Sequence, residues 1–249
     1  MKKIVYSLIM VLFFQAQSWA QTCAVKQMVQ EEFNEEGESI EKKTYTLYYN
    51  QENVLEEVQI QTEEEDLNTL KFEKIGSDTK ITWFLDGEYD RHFLVTNASI
   101  LVFDGQDQNS FDVDYADEYL LTFENNLLTK IDDNRVFYWE LGNVIKSESI
   151  GKKGKSVTTY SYINAPNPFL SLHKLGAIDV LANSDFIPYI YTLSSQVINS
   201  EESVRIRNGE MTSNPGKDHK YSHKVNQDGC VIEFTEHAPY HKLMYTFKY

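Results

Sequence analysis

The chain has 249 residues, and 38 acidic side chains against 23 basic ones leave a formal charge of −15. That balance works against nucleic acid and anionic lipid as partners. Hydrophobic residues make up 41% of the chain and aromatic ones 13%, which is enough apolar surface for a packed core and excludes a disordered polymer.

Lys2 and Lys3 are followed by an uncharged apolar run, Ile4 to Phe14, and then by Ser18-Trp19-Ala20. A basic start, a short apolar stretch and small residues before a cut form the layout of a secretory signal peptide, here residues 1–20. The run is too short to span a bilayer, which takes about 20 residues, and no later stretch would form a transmembrane helix. Residues 21–249 are expected to form a single β-rich domain of an exported protein, in the periplasm or at the outer membrane or cell surface. A division into two lobes near Asn164 is left open. The two cysteines, Cys23 and Cys230, leave three possibilities: a disulfide suited to an oxidising compartment, a lipid on Cys23, or two separate thiols. Thr22 before Cys23 suits lipid attachment poorly.

Strands come next in chain order. Tyr45-x-Leu47-x-Tyr49, Val58-x-Ile60, Leu70-x-Phe72, Ile81-x-Trp83-x-Leu85 and Phe93-x-Val95 alternate with a period of two. So do Phe111-x-Val113-x-Tyr115, Tyr119-x-Leu121-x-Phe123, Val136-x-Tyr138, Tyr160-x-Tyr162, Val204-x-Ile206 and Tyr245-x-Phe247-x-Tyr249. Period two marks a strand with one buried face. Asp86-Gly87, Asp104-Gly105, Asn208-Gly209 and Asp228-Gly229 mark tight turns, so neighbouring strands should be antiparallel. The fold class read here is all-β: a long curved antiparallel sheet of meandering hairpins. One short helical or irregular excursion interrupts it at about 164–200, where Pro166, Pro168 and Pro188 fall and Leu172, Leu175, Ile178, Val180 and Leu181 could line a short helix.

A hairpin pattern recurs, with an aromatic strand, a polar turn and a short apolar strand. It is seen at Tyr48 to Leu55, Thr122 to Ile131, Tyr138 to Lys146 and Tyr221 to Val231. These hairpins resemble the Tyr-Asp repeats of large bacterial surface proteins. The order Thr159-Tyr160-Ser161-Tyr162, Asn167-Pro168-Phe169, Tyr221 to Val231 and Tyr245 to Tyr249 is similar to exported and lipoprotein-like Bacteroidetes proteins of a domain-of-unknown-function family. The resemblance implies a strongly curved antiparallel sheet and no particular activity.

Candidate chemistry is sparse. Trp83, Trp139, Tyr115 and Tyr138 are the aromatics from which a ligand platform could be built, set against their use in packing. His237 and His241 form a candidate metal pair, although Pro239 between them argues against a shared helix face. Asp104 to Asn109, with Asp112 and Asp114, is oxygen-rich but lacks calcium-loop spacing. His92, Asp90 and Ser99 could be drawn as a triad that nothing in the sequence selects. No reaction motif appears, so no catalytic residues and no cofactor are assigned. The leading expectation is a non-catalytic envelope protein that binds a glycan, peptide or protein partner on its sheet. The alternatives are a polysaccharide-cleaving enzyme and a lipid-holding or outer-membrane-barrel-associated protein.

Overall fold

The computed structural model describes residues 23–105, 107–125, 127–152, 154–172, 189–208, 210–213, 219–238 and 240–249. The expected signal peptide lies outside them, as does the short helix expected from Leu172 to Leu181 apart from Leu172 itself. The strands are β1 (Gln27–Phe33), β2 (Ser39–Tyr49), β3 (Leu55–Thr62), β4 (Leu67–Ile75), β5 (Asp78–Leu85), β6 (Glu88–Val95), β7 (Ser99–Asp104), β8 (Asp117–Glu124) and β9 (Leu127–Ile131). They continue with β10 (Arg135–Glu140), β11 (Asn143–Gly151), β12 (Gly154–Pro166), β13 (Gln196–Arg207), β14 (Glu210–Ser213), β15 (His219–Val225), β16 (Val231–His237) and β17 (Lys242–Lys248). Asn164 falls within β12.

The antiparallel meander expected from the turn spacing is present, and it closes on itself. β1 pairs with β2 on one side and with β17 on the other, from Gln27↔Lys248 to Phe33↔Lys242. The result is a closed barrel of sixteen strands, with β14 as an extra strand folded back on β13. Two seams in the wall are thin. β9 meets β10 only at Ile131↔Arg135 and Lys130↔Val136. β13 meets β15 only at Ser200↔Lys220 and Glu201↔His219.

Sixteen strands closed as in a porin would enclose a water-filled channel. Here much of the inner face is apolar and packed. Met28, Tyr45, Leu47, Val58, Ile60, Leu70, Phe72, Ile81, Phe93, Ile100 and Val102 join Phe234, Tyr245 and Phe247 in one buried cluster. The connection after β12 enters that cluster. A 3-10 turn (Pro168–Leu172) and a short helix, α1 (Tyr189–Leu193), carry Phe169 and Tyr191 inward. The Phe169 ring lies 5.0 to 5.4 Å from those of Tyr191, Phe234, Tyr245 and Phe247. The described parts of the excursion therefore form a plug. Its Asn167 Nδ2 donates to the Tyr191 and Ser194 carbonyls, which joins the plug's two ends.

On β3, β4 and β17 the outer face is polar. Inward Val58, Ile60, Leu70 and Phe72 alternate with outward Glu57, Gln59, Lys71 and Glu73, and inward Tyr245 and Phe247 with outward Thr246 and Lys248. A lipid-facing barrel needs the opposite arrangement, an apolar outer belt about 25 Å tall. No helix among the described residues is long and apolar enough to cross a membrane.

Cys23 and Cys230 form a disulfide. Both sulfurs are therefore committed, and the open choice between bridge, lipid and free thiols resolves to the bridge. It ties the start of the described chain to the β15–β16 hairpin.

Three sequence expectations change. Phe111-x-Val113-x-Tyr115 is not a strand: Val113–Tyr115 is a 3-10 turn capped by the Asp112 carboxylate, which accepts from the Asp114 amide. Asp104-Gly105 does not close a tight hairpin but opens the loop that carries this turn. In β10 and β13 the expected faces are reversed: Phe137 and Ser203 are buried, while Val136, Tyr138, Val204 and Ile206 are the residues turned outward.

Candidate functional site

The reversed strands build the most distinctive surface. Directly paired residues in an antiparallel ladder share a face. Arg135↔Ser149, Ser149↔Ser156 and Ser156↔Arg205 are such pairs, so a row across β10, β11, β12 and β13 points to one side. That side is the interior. One step deeper, Phe137, Ser147, Thr158 and Ser203 form the next row, and Phe137 packs with Ile131 and Val144 in a second buried cluster.

The inner face thus changes character along the strands. Deepest are the rings, with Tyr160 and Tyr162 packed on the core. Above them lies a hydroxyl shelf. Ser147 and Tyr160 hydroxyls are 2.7 Å apart, and the Ser203 hydroxyl is 3.3 Å from those of Ser156 and Thr158. At the mouth are the cations. A cleft of 580 Å³ is lined there by Arg135, Lys152, Lys155, Arg205 and Arg207, together with Asn134, Ser149, Ile150, Ser156, Gly151 and Gly154. Five of the chain's 23 basic residues border it and none of its 38 acidic ones does, although Lys155, paired with the outward Ile206, sends its ammonium to the outer face. In so acidic a chain that segregation requires a local cause. Lys155 is held at 2.5 Å by Glu148, whose carboxylate also takes Lys146 at 3.1 Å. Those two lysines hold the Glu148 carboxyl below its ordinary value against the opposing pull of burial. Among the described residues, Arg205 and Arg207 pair with no carboxylate.

Gly154 permits this geometry. Its φ of +139° lies in the region that favours glycine, and a Cβ there would sit 2.4 Å from the Ile206 carbonyl oxygen. The close approach lets β12 and β13 stay paired up to the cleft.

A second polar group lies inside, beneath the plug. Tyr191 donates to the buried Glu236 carboxylate. His219 Nδ1 contacts the other oxygen of Glu236 and lies 3.4 Å from Glu201. Burial, then the Glu201 and Glu236 carboxylates, drives the Tyr221 hydroxyl far above its ordinary range; burial does the same to Tyr191. Tyr162 is pushed up to about 12, again by burial first. These hydroxyls are fixed donors. The free space beside Tyr191 is only 10 Å³, too little for a substrate, so the network locks the plug in place.

The residues proposed from sequence go to separate places. Trp83 packs on the main core, its Nε1 donating to Asn68 at 2.8 Å and the Arg91 guanidinium 5.4 Å above its ring. Trp139 packs on the second cluster and donates to the Leu128 carbonyl at 2.8 Å. Tyr138 lies outside under Lys146, 3.7 Å from its ring, and Tyr115 stands out from the 3-10 turn. The structure does not bring the four together. His237 is on the outer face, bonded to Ser222, whereas the His241 ring lies 6.4 Å from that of His219. No group of three His, Cys, Asp or Glu suited to a metal occurs among the described residues.

His92 is not part of a triad. It is fully buried on the outside of β6, stacked 4.7 Å from Phe103 and covered by Phe111 from the loop after β7. Its Nε2 bonds to the Ser110 carbonyl at 2.8 Å and its Nδ1 to the Tyr89 hydroxyl at 2.7 Å, while Asp90 pairs with Arg91. A carbonyl only accepts, so Nε2 carries the proton of a neutral ring.

Sequence reasoning missed the arginine row. Alternation gave the strand at 204–206, but it assigned the aliphatic set, not Ser203-Arg205-Arg207, to the inside. The available signal was the repeated hydroxyls at Ser147, Ser149, Ser156 and Thr158 on two neighbouring strands, which read as a polar inner face once their register is known.

No known family model matches the chain, and no curated protein matches it. Among solved structures it is similar to a crystal structure of a porin-like protein from Bacteroides uniformis. That similarity has 11% identity and a TM-score of 0.45, covering 90% of this chain and 98% of the other. A likeness at that level is too weak to transfer a function.

Proposed function

We propose that this is an exported cell-envelope barrel that sits beside the outer membrane rather than through it and holds a ligand at its mouth without catalysing a reaction. The observation that carries this reading is the wall's polarity: an apolar inner core with its plug, polar outward residues on β3, β4 and β17, and a cationic cleft at the end of the inner face. Among the described residues the packed rings leave only 10 Å³ beside Tyr191, too little for an acyl chain, so of the membrane-related alternatives the barrel-associated one fits better than a lipid-holding one. The disulfide suits an oxidising compartment, and the hairpin resemblance to exported Bacteroidetes proteins supports envelope placement. A glycan, peptide or protein would dock where the backbone rim and side chains of the cleft are accessible.

The test is a thermal-shift panel of envelope glycans, peptides and soluble lipid headgroups, run on the protein and on R205S/R207S. The expected result is stabilisation by at least one class, lost in the variant. Stabilisation that survives the variant would move the binding face elsewhere, and turnover of any ligand would contradict the non-catalytic reading.

A further inference from the structure

Resting on the reading that the mouth cleft is the binding face, we infer that its ligand is a phosphorylated sugar, bound phosphate-first by Arg205 and Arg207. Three observations converge on that chemistry. The first is charge: the cleft collects cations and no carboxylate in a strongly acidic chain. A neutral ligand would not require that, and the surrounding acidity makes the cleft a local focus for an anion.

The second is donor geometry. Guanidinium groups present planar forks that take two anionic oxygens at once. Arg205 faces Ser156 across the ladder, and Ser149 is the next residue in that row. Guanidinium forks beside hydroxyl donors suit a phosphate, which has three terminal acceptors and a charge near −2, better than a carboxylate with two acceptors. The third is size and floor. A volume of 580 Å³ lies within the range of about 300–1,000 Å³ usual for small-molecule sites and far exceeds one phosphate. Ser149 and Ser156 line the cleft, and the bonded Ser147, Thr158 and Ser203 hydroxyls beneath make its floor polar, which suits a hydroxyl-rich body rather than an acyl chain. Arg135 and Arg205 stand three strand spacings apart, roughly 14 Å across the shelf, which is the width of a mono- to disaccharide.

The sugar phosphate could be free or the headgroup of an envelope glycolipid, and the experiment separates these sources. Isothermal titration at low salt would use glucose 6-phosphate, glucose and inorganic phosphate. Co-sedimentation would use phosphatidylcholine vesicles with and without lipid A. Glucose 6-phosphate should bind at least tenfold tighter than glucose and tighter than inorganic phosphate, and added salt should weaken it. R205S/R207S should lose roughly ten- to a hundredfold in affinity while keeping the wild-type melting temperature, because both side chains are exposed at the mouth. Sedimentation with lipid A vesicles but not plain ones assigns the headgroup source; its absence assigns the free one. Equal binding of glucose and its phosphate, or an unaffected double variant, would overturn the inference. If an uncharged or carboxylate ligand binds and R205S/R207S abolishes it, the cleft reading stands and the phosphate assignment falls. If no ligand of any class binds, both fall.

Discussion

The wall from β1 to β7 and the wall from β10 to β13 obey the same pleat but line the interior differently. In the first, the inward residues from Met28 to Val102 are mostly aliphatic or aromatic, and on β3 and β4 the outward ones are polar. In the second, apolar residues at Phe137 and Val144 give way within two steps to serines and then arginines. The same ladder therefore serves as a core in one region and as a cleft in the other. The thin β9–β10 and β13–β15 seams bound the second region on both sides.

The largest predicted effect falls on the region that depends on core and covalent ties. C23S/C230S opens a loop of 207 residues, and the chain-entropy relation gives a loss of about 5 kcal/mol, with measured values often smaller. Urea denaturation with and without reductant checks it; an unchanged midpoint would show that the closure between β1 and β17 holds without the bridge. Next is Phe169→Ala. Removing the ring that meets four others should cost about 3–5 kcal/mol and make the plug accessible to protease. If stability survives, the plug is not part of the core.

Gly154→Ala should cost about 1–3 kcal/mol, through strain at a backbone conformation that side chains avoid and a clash with the Ile206 carbonyl. The comparison predicts that this damage stays at the cleft: hydrogen exchange should quicken in β12 and β13 and not in β3 or β4. A smaller effect is titration at the outer flap. Burial holds His92 below its ordinary value of 6.5. The ring is neutral when folded, and the unfolded chain takes up the proton first. Stability is therefore fully present above pH 6.5 and is lost as pH falls below it towards the folded value. Melting curves of wild type and His92→Phe should diverge on that acid side; parallel curves would remove His92 as the cause. Smallest is Arg205→Ser on its own, expected to change stability by under about 0.5 kcal/mol.

The same division explains what the sequence reveals. Where inner residues are apolar, alternation reads both the strand and its face: Tyr45, Leu47, Val58, Ile60, Leu70, Phe72, Ile81 and Phe93 all point inward as expected. In β10 and β13 the inner residues are polar towards the mouth, and the aliphatic ones face out beside lysines. A one-residue shift of face follows, because period two has no sign until one side is known to be buried. Val136, Tyr138, Val204 and Ile206 were the visible residues on those strands, and Arg205 was hidden between two of them. Closure was equally hard to read, since pairing between Gln27 and Lys248 leaves no local trace. Trp83 and Trp139 show the converse: aromatic content marks packing more readily than it marks a binding face.

The central claim is that the barrel packs its apolar core inside rather than against lipid. Flotation tests it most directly: the processed protein is refolded from urea without detergent, mixed with phosphatidylcholine vesicles and spun on a density gradient. The account predicts a monodisperse, β-rich protein that stays in the dense fractions. Recovery with the floating vesicles, resistant to alkaline carbonate and folded only in their presence, would contradict it.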